Sequence, residues 1–508
     1  MRNEILLQCK YLLLPIAREQ EYEVISFFVE EEKVFEFKIP VMNEENNFDY
    51  QYKAPVPVAS YMGKYIRVEG NYSAIFFKEI SQSNTIPKNN ERRPILHFTP
   101  NTGWMNDPNG LIYKNGIYHL YFQYNPFDTK WENMCWGHAI SGDMLHWEQK
   151  ETVLYPDQDG PIFSGSGIVN DNALLGLPKD AYIYFYTSAG GKSEWSRGKL
   201  PVQKIAYSID GGNTLHKKEG CIVEHICDEN RDPKVYWHEQ SKAYIMVLYL
   251  TKNDYAILRS ADLENWDVRQ TITLDKAWEC PDLLEVPILG GGTKWMFWSA
   301  DGFYFLGEFD GHQFKTDGIR RKAYKTNLPY AAQTFWGVHD RIISIPWIRS
   351  LNKSKLYTGA MGIPRELVFI NKDHELILSQ LPIREFNEQK VLQYVADAKD
   401  EKISYYQEEN AVVEIRTSLL NVVKIEWNIF ETQIGYDNNT GTLSIGETKT
   451  VIGSDIKDIS IIADSEILEV TANDGTIYAA YELETDKQSG IISITLEGNG
   501  RIEIFIVS

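Results

Sequence analysis

The middle of the chain repeats one kind of segment, and this repeat constrains the fold more than any other feature. Runs rich in aromatic and β-branched residues recur at intervals of roughly 50 to 60 residues, starting at Tyr118, Tyr182, Tyr244, Trp295 and Ile342. That spacing fits four short strands with their turns in each unit. The pattern predicts a five-bladed β-propeller, and chance recurrence of hairpins in an all-β protein is the alternative interpretation.

A second pattern follows several of these runs. Clusters of Ser, Asp and Gly precede a new strand in ISGDMLHWE from Ile140, YSIDGGNTLHK from Tyr207 and RSADLENWD from Arg259, and more weakly in GEFDGHQFK from Gly307. These residue types form turns. The recurrence predicts the same hairpin in successive units.

The flanking regions also alternate apolar and polar residues, the period of strands with one buried face. Residues 1–85 are predicted to form a β-rich N-terminal module, and the polar, Asn- and Pro-rich residues 86–93 a linker. The propeller is expected over 94–385 and a C-terminal β-sandwich over 386–508. The expected fold class is all-β.

Charge and cysteine content limit the possible ligands. The chain has 71 acidic and 51 basic residues, a net charge of −20, which repels nucleic acid and anionic membranes and disfavours heavily phosphorylated ligands. Its five scattered cysteines indicate neither a disulfide framework nor a zinc site. We expect no metal and no cofactor, no nucleic-acid or membrane partner, and a neutral small molecule or polymer as ligand; the oligomeric state is open.

The first twenty residues, MRNEILLQCKYLLLPIAREQ, bear on localisation. Glu4, Gln8 and Lys10 interrupt the apolar run, and no small-residue cleavage site follows. The segment is too short to span a bilayer. This predicts a cytoplasmic chain as it stands, or a secreted one if a leader was removed.

Three acidic residues fall at equivalent places in the repeat. Short segments before the aromatic runs, WMNDPNG, FSGSGIV, RDPKVYW, ECPDLLE and YAAQTFW, would be the first strands of the units. First strands line a propeller channel, so Asp107, Asp232 and Glu279 would converge there. Glycoside hydrolysis needs one ionised and one protonated carboxyl beside the scissile bond. Taken singly, each acid also fits a turn or a surface ion pair.

In combination, WMNDPNG, FSGS, RDP and ECPDL resemble the signature blocks of glycoside hydrolase family 32, the invertases, inulinases and levanases. Further matches are YFQYNP at Tyr121, WGHAISGDMLHW at Trp136, GIPREL at Gly362 and DSEILEVTANDG at Asp464. The resemblance runs from about residue 94 to the C-terminus and is nearest to exo-acting levanases, or fructan β-fructosidases. The first ninety or so residues lie outside it.

The resemblance implies a retaining hydrolase that releases terminal β-D-fructofuranosyl units from levan, inulin or sucrose. Asp107 would be the nucleophile and Glu279 the general acid and then base, with carboxyl groups about 5 to 5.5 Å apart. Asp232 would bind fructose hydroxyls, and Arg231 would polarise Asp232 or Glu279. The implied sugar-binding residues are Asn106, Gln123, Trp131, Phe163 and Ser164.

The remaining residues near these motifs have structural interpretations. Cys280 is expected to be a small buried neighbour of Glu279, and His119, His138 and His146 to be structural. One departure from the family pattern is NLPYAAQTF, where Leu328 and Pro329 precede Tyr330 in place of an acidic residue. This change concerns the leaving-group side of the pocket.

Several alternatives stay open at this stage. A sucrose or sucrose-6-phosphate hydrolase and a fructosyltransferase would use the same covalent intermediate. A carbohydrate-binding protein without catalysis is a third possibility, against which the presence of all three acids counts. Linkage and chain-length preference are not determined by these motifs.

Overall fold

The computed structural model describes residues 3–41, 49–350 and 355–507. Residues 1–2, 42–48, 351–354 and 508, which belong to the predicted N-terminal, propeller and sandwich regions, lie outside the described residues. Within the described ranges the helices are short: a 3-10 helix at Ala59–Tyr61, α1 at Ala74–Glu79 and α2 at Arg384–Gln389. Across those ranges, no helix has the length and apolar character needed to cross a membrane.

The described part of the N-terminal region forms two small sheets that share one core. Alternate side chains of both sheets point inward, because successive residues of a strand face opposite sides. The sheet orders are β1-β6-β3-β4 and β5-β2-β7. The strands are β1 Asn3–Leu6, β2 Tyr11–Ile16, β3 Tyr22–Val29, β4 Glu32–Pro40, β5 Tyr52–Pro57, β6 Tyr65–Glu69 and β7 Ser81–Ser83.

Five sheets follow in the described residues between 103 and 382, and all their strand pairs are antiparallel except one, described below. The first contains β8 Gly103–Lys114, β9 Ile117–Asn125, β10 Cys135–Ser141 and β11 Glu148–Gln149. The second contains β12 Ile162–Val169, β13 Tyr182–Ser188, β14 Val202–Ser208 and β15 His216–Lys217, and the third β16 Arg231–His238, β17 Ala243–Thr251, β18 Asp254–Ser260 and β19 Asp267–Thr273.

The fourth sheet contains β20 Asp282–Pro287, β21 Thr293–Trp298, β22 Phe303–Phe309, β23 Phe314–Thr316 and β24 Arg321–Lys322. The last contains β25 Pro329–Thr334, β26 Ile343–Ile348, β28 Ala360–Met361, β29 Arg365–Lys372 and β30 Glu375–Pro382, while β27 Tyr357–Thr358 leaves it to pair in parallel with β8. The aromatic runs noted in the sequence are the second strands, β9, β13, β17, β21 and β26.

The sheets stand side by side around a channel. The first strand β8 contacts β12 and β25, and β12 contacts β16. β27 beside β8 joins the last part of this region to the first, so the ring is closed by main-chain pairing. This arrangement is a β-propeller, as the repeat predicts.

The predicted hairpin recurs in the first three sheets. At the end of the third strand, a serine hydroxyl donates to an aspartate two residues later, in the pairs Ser141–Asp143 (2.9 Å), Ser208–Asp210 (2.7 Å) and Ser260–Asp262 (3.1 Å). Backbone N–H groups of the turn donate back to each aspartate. In the weaker match, GEFDGHQFK from Gly307, only the aspartate, Asp310, accepts backbone hydrogen bonds of the turn.

The C-terminal strands form one hydrogen-bonded sheet that folds over into two layers. Its two long strands, β33 and β40, change register between Leu420 and Lys424. The first half of β33 and the second half of β40 lie in one layer, with β31, β37, β38 and β39; the other halves lie with β32, β34, β35 and β36. The strands are β31 Lys390–Lys399, β32 Lys402–Gln407, β33 Val412–Ile429, β34 Thr432–Asp437, β35 Thr442–Ile445, β36 Thr448–Val451, β37 Asp458–Asp464, β38 Ile467–Ala472, β39 Ile477–Glu482 and β40 Gly490–Val507.

Side chains from both layers, Ile415 and Trp427 among them, bury one shared core. This is a β-sandwich, and the expected all-β fold class is confirmed. The domain limits remain a prediction.

A buried polar network joins the propeller to the sandwich. Asp464 accepts hydrogen bonds from the backbone N–H groups of Ile95, Leu96 and His97, and its Oδ2 lies 2.9 Å from His97 Nδ1. Glu469 Oε1 lies 3.2 Å from His97 Nε2, and Arg365 donates to Glu469 Oε2. The GIPREL and DSEILEVTANDG motifs therefore meet at this interface, which gives them a structural role.

The network keeps His97 protonated. Burial opposes the charge, but the hydrogen bonds and charges of Asp464 and Glu469 raise the pKa of His97 from 6.5 to about 9. Burial works against ionised Glu469 as well, yet Arg365 and His97 lower the pKa of its carboxyl to about 2. Burial also opposes ionisation of Asp464, but the hydrogen bond and charge of His97 lower its pKa, so both carboxylates and the imidazolium are charged at neutral pH.

We expect His97→Gln to lower thermal stability most at pH 6 and least above pH 9. A pKa that rises on folding stabilises the folded state fully below 6.5, and this contribution disappears as the pH rises through about 9. The full contribution corresponds to about 3 kcal/mol. Calorimetric midpoints of wild type and variant at pH 6, 8 and 10 measure it, with the exposed His146→Gln as the control. A deficit that does not change with pH would contradict the assignment.

Candidate active site

The first strands of the propeller sheets are irregular where they meet the mouth of the channel. Strand β8 changes register against β9 between Met105 and Pro108, around Asp107, and β16 changes register against β17 between Arg231 and Lys234, around Asp232. Strands β12 and β25 have equivalent shifts near their starts. A β-bulge adds one residue and redirects its side chain. The bulges therefore turn these side chains out of the regular alternation and toward the channel mouth.

Backbone strain accompanies this arrangement. Asp232, Glu279 and Cys280 have φ angles of +63°, +48° and +36°, in the left-handed region. Such conformations cost about 1 to 3 kcal/mol each in non-glycine residues and are common at functional sites. Glu279 lies just before β20, not in it, and the strained turn orients its carboxyl group.

One pocket of about 200 Å³ at the channel mouth gathers all nine residues expected from the sequence; we call it the acidic pocket. The expected residues are Asn106, Asp107, Gln123, Trp131, Phe163, Ser164, Arg231, Asp232 and Glu279. Tyr330 and Trp347 also line it, and sequence reasoning gave neither a role in the site. Tyr330 directly follows Leu328 and Pro329, where the sequence departs from the family pattern, and this departure was the one sign in the sequence that Tyr330 lies near the site.

Both oxygens of Glu279 are held by donors from other sheets. Arg231 Nη2 donates to Oε1 at 2.6 Å, and the Tyr330 hydroxyl donates to Oε2 at 2.7 Å. The Arg231 guanidinium also lies 4.6 Å from the centroid of the Tyr249 ring, which restricts its position. Glu279 is thus fixed at both oxygens while its side chain stays 27% exposed to the pocket.

Asp107 has a different set of partners. The Ser164 hydroxyl donates to Oδ2 at 2.6 Å, and Cys280 Sγ lies 3.4 Å from the same oxygen. Burial raises the pKa of Asp107, the charge of Glu279 adds to this, and the hydrogen bond from Ser164 opposes it. A carboxylate with one oxygen bonded keeps the other available to a ligand.

Asp232 is the most buried of the three carboxyl groups, at 5% exposure. Its Oδ2 accepts the backbone N–H of Cys280 at 3.2 Å. Burial raises its pKa from 3.8 to about 7; Arg231 opposes the rise, and the charges of Glu279 and Asp107 add to it. The carboxyl cluster therefore retains a proton near neutral pH.

Aromatic and amide groups form the rest of the pocket wall. Trp131 is 49% exposed and packs edge-on against Phe163, with 5.8 Å between ring centroids. The Gln123 amide donates to the Ile162 carbonyl at 2.9 Å, and Asn106 Oδ1 accepts from Trp104. These bonds hold the two amides at the edge of the pocket.

The residues interpreted as structural lie as expected. Cys280 is 4% exposed and sits between Asp107 and Asp232, and burial raises the pKa of its thiol. His119 and His138 are buried and stacked, with Nδ1 and Nε2 3.1 Å apart, outside the pocket. His146 binds Asp143 in the first recurrent hairpin.

Fold and pocket together define a β-propeller protein with a cluster of carboxyl groups at the channel mouth. Residues 97–382, more than half of the chain, match the family model described as "Glycosyl hydrolases family 32 N-terminal domain", and the chain belongs to this family. The resemblance of the sequence motifs is thereby confirmed.

Similar proteins come from yeasts, bacteria and moulds. The chain is 35% identical over 328 residues to an invertase of Debaryomyces hansenii, covering 57% of this chain and 60% of the relative, and 34% identical over 326 residues to the levanase of Bacillus subtilis, covering 58% and 47%. The crystal structure of an exo-inulinase from Aspergillus awamori superimposes with a TM-score of 0.73 at 23% identity, over 83% of this chain and 99% of that one. The chain thus matches between about half and 60% of the length of these two curated relatives.

We expect Asp232→Asn to melt at a higher temperature than wild type at pH 8. The pKa of Asp232 in the folded state lies above its ordinary value of 3.8. The folded state therefore becomes less stable as the pH rises from 3.8 to about 7, and the full loss, about 4 kcal/mol, is present above pH 7. The amide removes the charge and keeps the shape. Differential scanning calorimetry at pH 8 and pH 5 measures the change.

The advantage of Asp232→Asn should shrink toward pH 5. The exposed Asp397→Asn is the matched control and should leave the midpoint near the wild-type value at both pH values. A variant that is less stable than wild type at pH 8 would show that the Asp232 charge is not a source of strain.

Proposed function

We propose that the protein is a retaining glycoside hydrolase that releases terminal β-D-fructofuranosyl units from levan, inulin or sucrose. The activity rests on family membership and on the acidic pocket. The observation that carries the proposal is that two carboxyl groups in one pocket have distinct partners: Arg231 and Tyr330 for Glu279, and Ser164 for Asp107. Different environments allow two carboxyl groups to take different roles.

In the first step, Asp107 attacks the anomeric carbon of the terminal fructosyl unit. Ser164 orients the carboxylate through Oδ2, and the pocket positions the sugar for attack by the other oxygen. Glu279 passes to the glycosidic oxygen the proton that the carboxyl cluster retains near neutral pH, the C–O bond to the aglycone breaks, and the aglycone leaves as an alcohol. The product is a fructosyl ester of Asp107.

In the second step, Glu279 acts as a base on a water molecule that attacks the same carbon from the side the aglycone left. The C–O bond to Asp107 breaks, and the carboxylate is regenerated. Arg231 and Tyr330 donate to Glu279 and support it in its ionised form between proton transfers. Two inversions at one carbon give net retention.

Asp232 and Arg231 act on the charge that develops between these steps. We assign Asp232 to the fructose hydroxyls, where hydrogen bonds strengthen as the ring becomes oxocarbenium-like. Arg231 Nε lies 3.8 Å from Asp232 Oδ2 and Nη2 bonds Glu279, so one guanidinium links two of the three carboxyl groups. It limits their mutual repulsion.

The neutral saccharide would fill the remaining wall of the pocket. Trp131 and Phe163 offer apolar ring faces, and Asn106 and Gln123 offer amides for hydroxyl groups.

Proposed domain limits are those expected from the sequence, 1–85, 86–93, 94–385 and 386–508, and the separate sheets support them. The last limit falls within α2.

We expect Glu279→Gln to lower kcat on sucrose, inulin and levan by about 10² to 10⁴-fold, the usual contribution of general acid–base catalysis. Asp107→Asn should lose at least as much, because no covalent intermediate can form. Fructose release measured side by side on the three substrates tests this. Glu264→Gln and Asp397→Asn, both exposed, are matched controls that should keep wild-type rates.

Product analysis separates hydrolysis from transfer. At high sucrose concentration a hydrolase yields free fructose, and oligofructosides would indicate a fructosyltransferase. Negligible fructose release by wild type on all three substrates would overturn the proposed activity and favour a binding protein. Rates that persist in Asp107→Asn would overturn the catalytic assignment.

A further inference from the structure

The N-terminal module holds the loop that carries Trp131. We call residues 126–134, between β9 and β10, the rim loop. The Phe37 ring packs on Phe127 with 4.2 Å between centroids, and the Tyr52 hydroxyl donates to the Pro126 carbonyl at 3.1 Å. The module therefore holds the start of the rim loop by one ring contact and one hydrogen bond.

A reciprocal pair of hydrogen bonds holds the end of the rim loop. The backbone N–H of Lys38, in β4, donates to Asn133 Oδ1 at 2.7 Å, and Asn133 Nδ2 donates back to the Lys38 carbonyl at 2.8 Å. Asn133 is 8% exposed, so these bonds are shielded from water. The side chain of Asn133 thus extends the hydrogen bonding of β4 onto the rim loop.

A second loop approaches the same strand of the module. Residues 189–201, between β13 and β14, form what we call the lateral loop. The backbone N–H of Trp195 donates to Glu36 Oε1 at 2.7 Å, and Lys33 Nζ lies 5.5 Å from the centroid of the Trp195 ring. Strand β4 therefore bridges the rim loop and the lateral loop.

Between the two loops and β4 lies a pocket of about 320 Å³, which we call the lateral pocket. It adjoins the acidic pocket: Trp131 lines one and Glu132 the other, and Phe163 lines one and Pro161 the other. Trp131 and Glu132 are neighbours in the chain, with Cα atoms about 3.8 Å apart, so the backbone of the rim loop lies between the two pockets.

Charges in the lateral pocket balance. Its cations are Lys38, Lys192 and Arg197, and its carboxylates are Glu36, Glu132 and Glu194. Lys38 pairs with Glu132 at 3.0 Å and Arg197 pairs with Glu194, whereas the described residues include no ion-pair partner for Lys192. Such a surface favours neither an anion nor a cation, and it offers donors and acceptors suited to neutral hydroxyl groups.

We propose that the lateral pocket is a distal sugar subsite, built by the N-terminal module, for a further unit of a fructan chain whose terminal unit occupies the acidic pocket. This inference rests on the proposed function and adds a chain-length preference to it. The module then serves the enzyme as one wall of its substrate cleft. Sucrose is too short to reach this wall, whereas a longer fructan gains contacts there.

The experiment compares kcat/KM for sucrose with kcat/KM for oligofructosides of three, four and five units. In wild type we expect the ratio of the five-unit substrate to sucrose to exceed one. In the double variant Lys192→Ala/Arg197→Ala this ratio should fall about ten-fold or more, the loss of at least one hydrogen bond to a charged group. Both residues are exposed, so the substitutions do not disturb the core.

A matched double variant, Lys424→Ala/Arg269→Ala, removes the same two residue types from exposed ion pairs elsewhere and should keep the wild-type ratio. An unchanged ratio in Lys192→Ala/Arg197→Ala, or an equal fall in the matched variant, overturns the subsite while fructose release continues. Wild type that releases no fructose from any substrate overturns the proposed function itself. The two failures are therefore distinguishable.

Discussion

Main-chain hydrogen bonds along one edge of β8 hold the ring of sheets closed, and the position of Asp107 depends on them. The N–H of Gly103 donates to the Leu356 carbonyl, and farther along the strand the N–H of Tyr113 donates to the Trp336 carbonyl, each at 2.8 Å. The other edge of β8 pairs with β9. These bonds join the last part of the propeller region to the first, and the three carboxyl groups lie in one pocket of the closed ring.

The residues of the acidic pocket destabilise the folded state, whereas the rest of the molecule stabilises it. Burial and mutual repulsion raise the proton affinity of Asp107 and Asp232, and left-handed backbone at Asp232 and Glu279 adds strain. Arg231 offsets part of the repulsion. The cores of the sheets, and the paired charges of His97 with Asp464 and Glu469, stabilise the frame that keeps these unfavourable groups in place. The groups needed in the pocket therefore destabilise the folded state, and the surrounding cores and ion pairs compensate for them.

Local patterns predicted the elements that depend on local properties. Runs of aromatic and β-branched residues identified strands such as Tyr182–Ser188, and the turn chemistry of Ser141 and Asp143 identified the recurrent hairpin, because both signals lie within a few residues. The nine expected pocket residues lie together. The bond from Tyr330 to Glu279 was not predicted, since the two residues are 51 positions apart and in different sheets. The contact of Lys38 with the rim loop, across 95 positions, has no local signal either.

Sequence patterns alone were enough to predict the all-β class, the five aromatic runs, the three acids of the pocket, and the family. The packing of the folded chain set which donor meets each oxygen of Glu279, how strongly Asp232 holds its proton, and that the N-terminal module contacts the loop that carries Trp131. Composition and periodicity report which face of a strand is buried. Hydrogen-bond partners, proton affinities and contacts between modules depend on distances between residues far apart in the chain, and packing alone sets those distances.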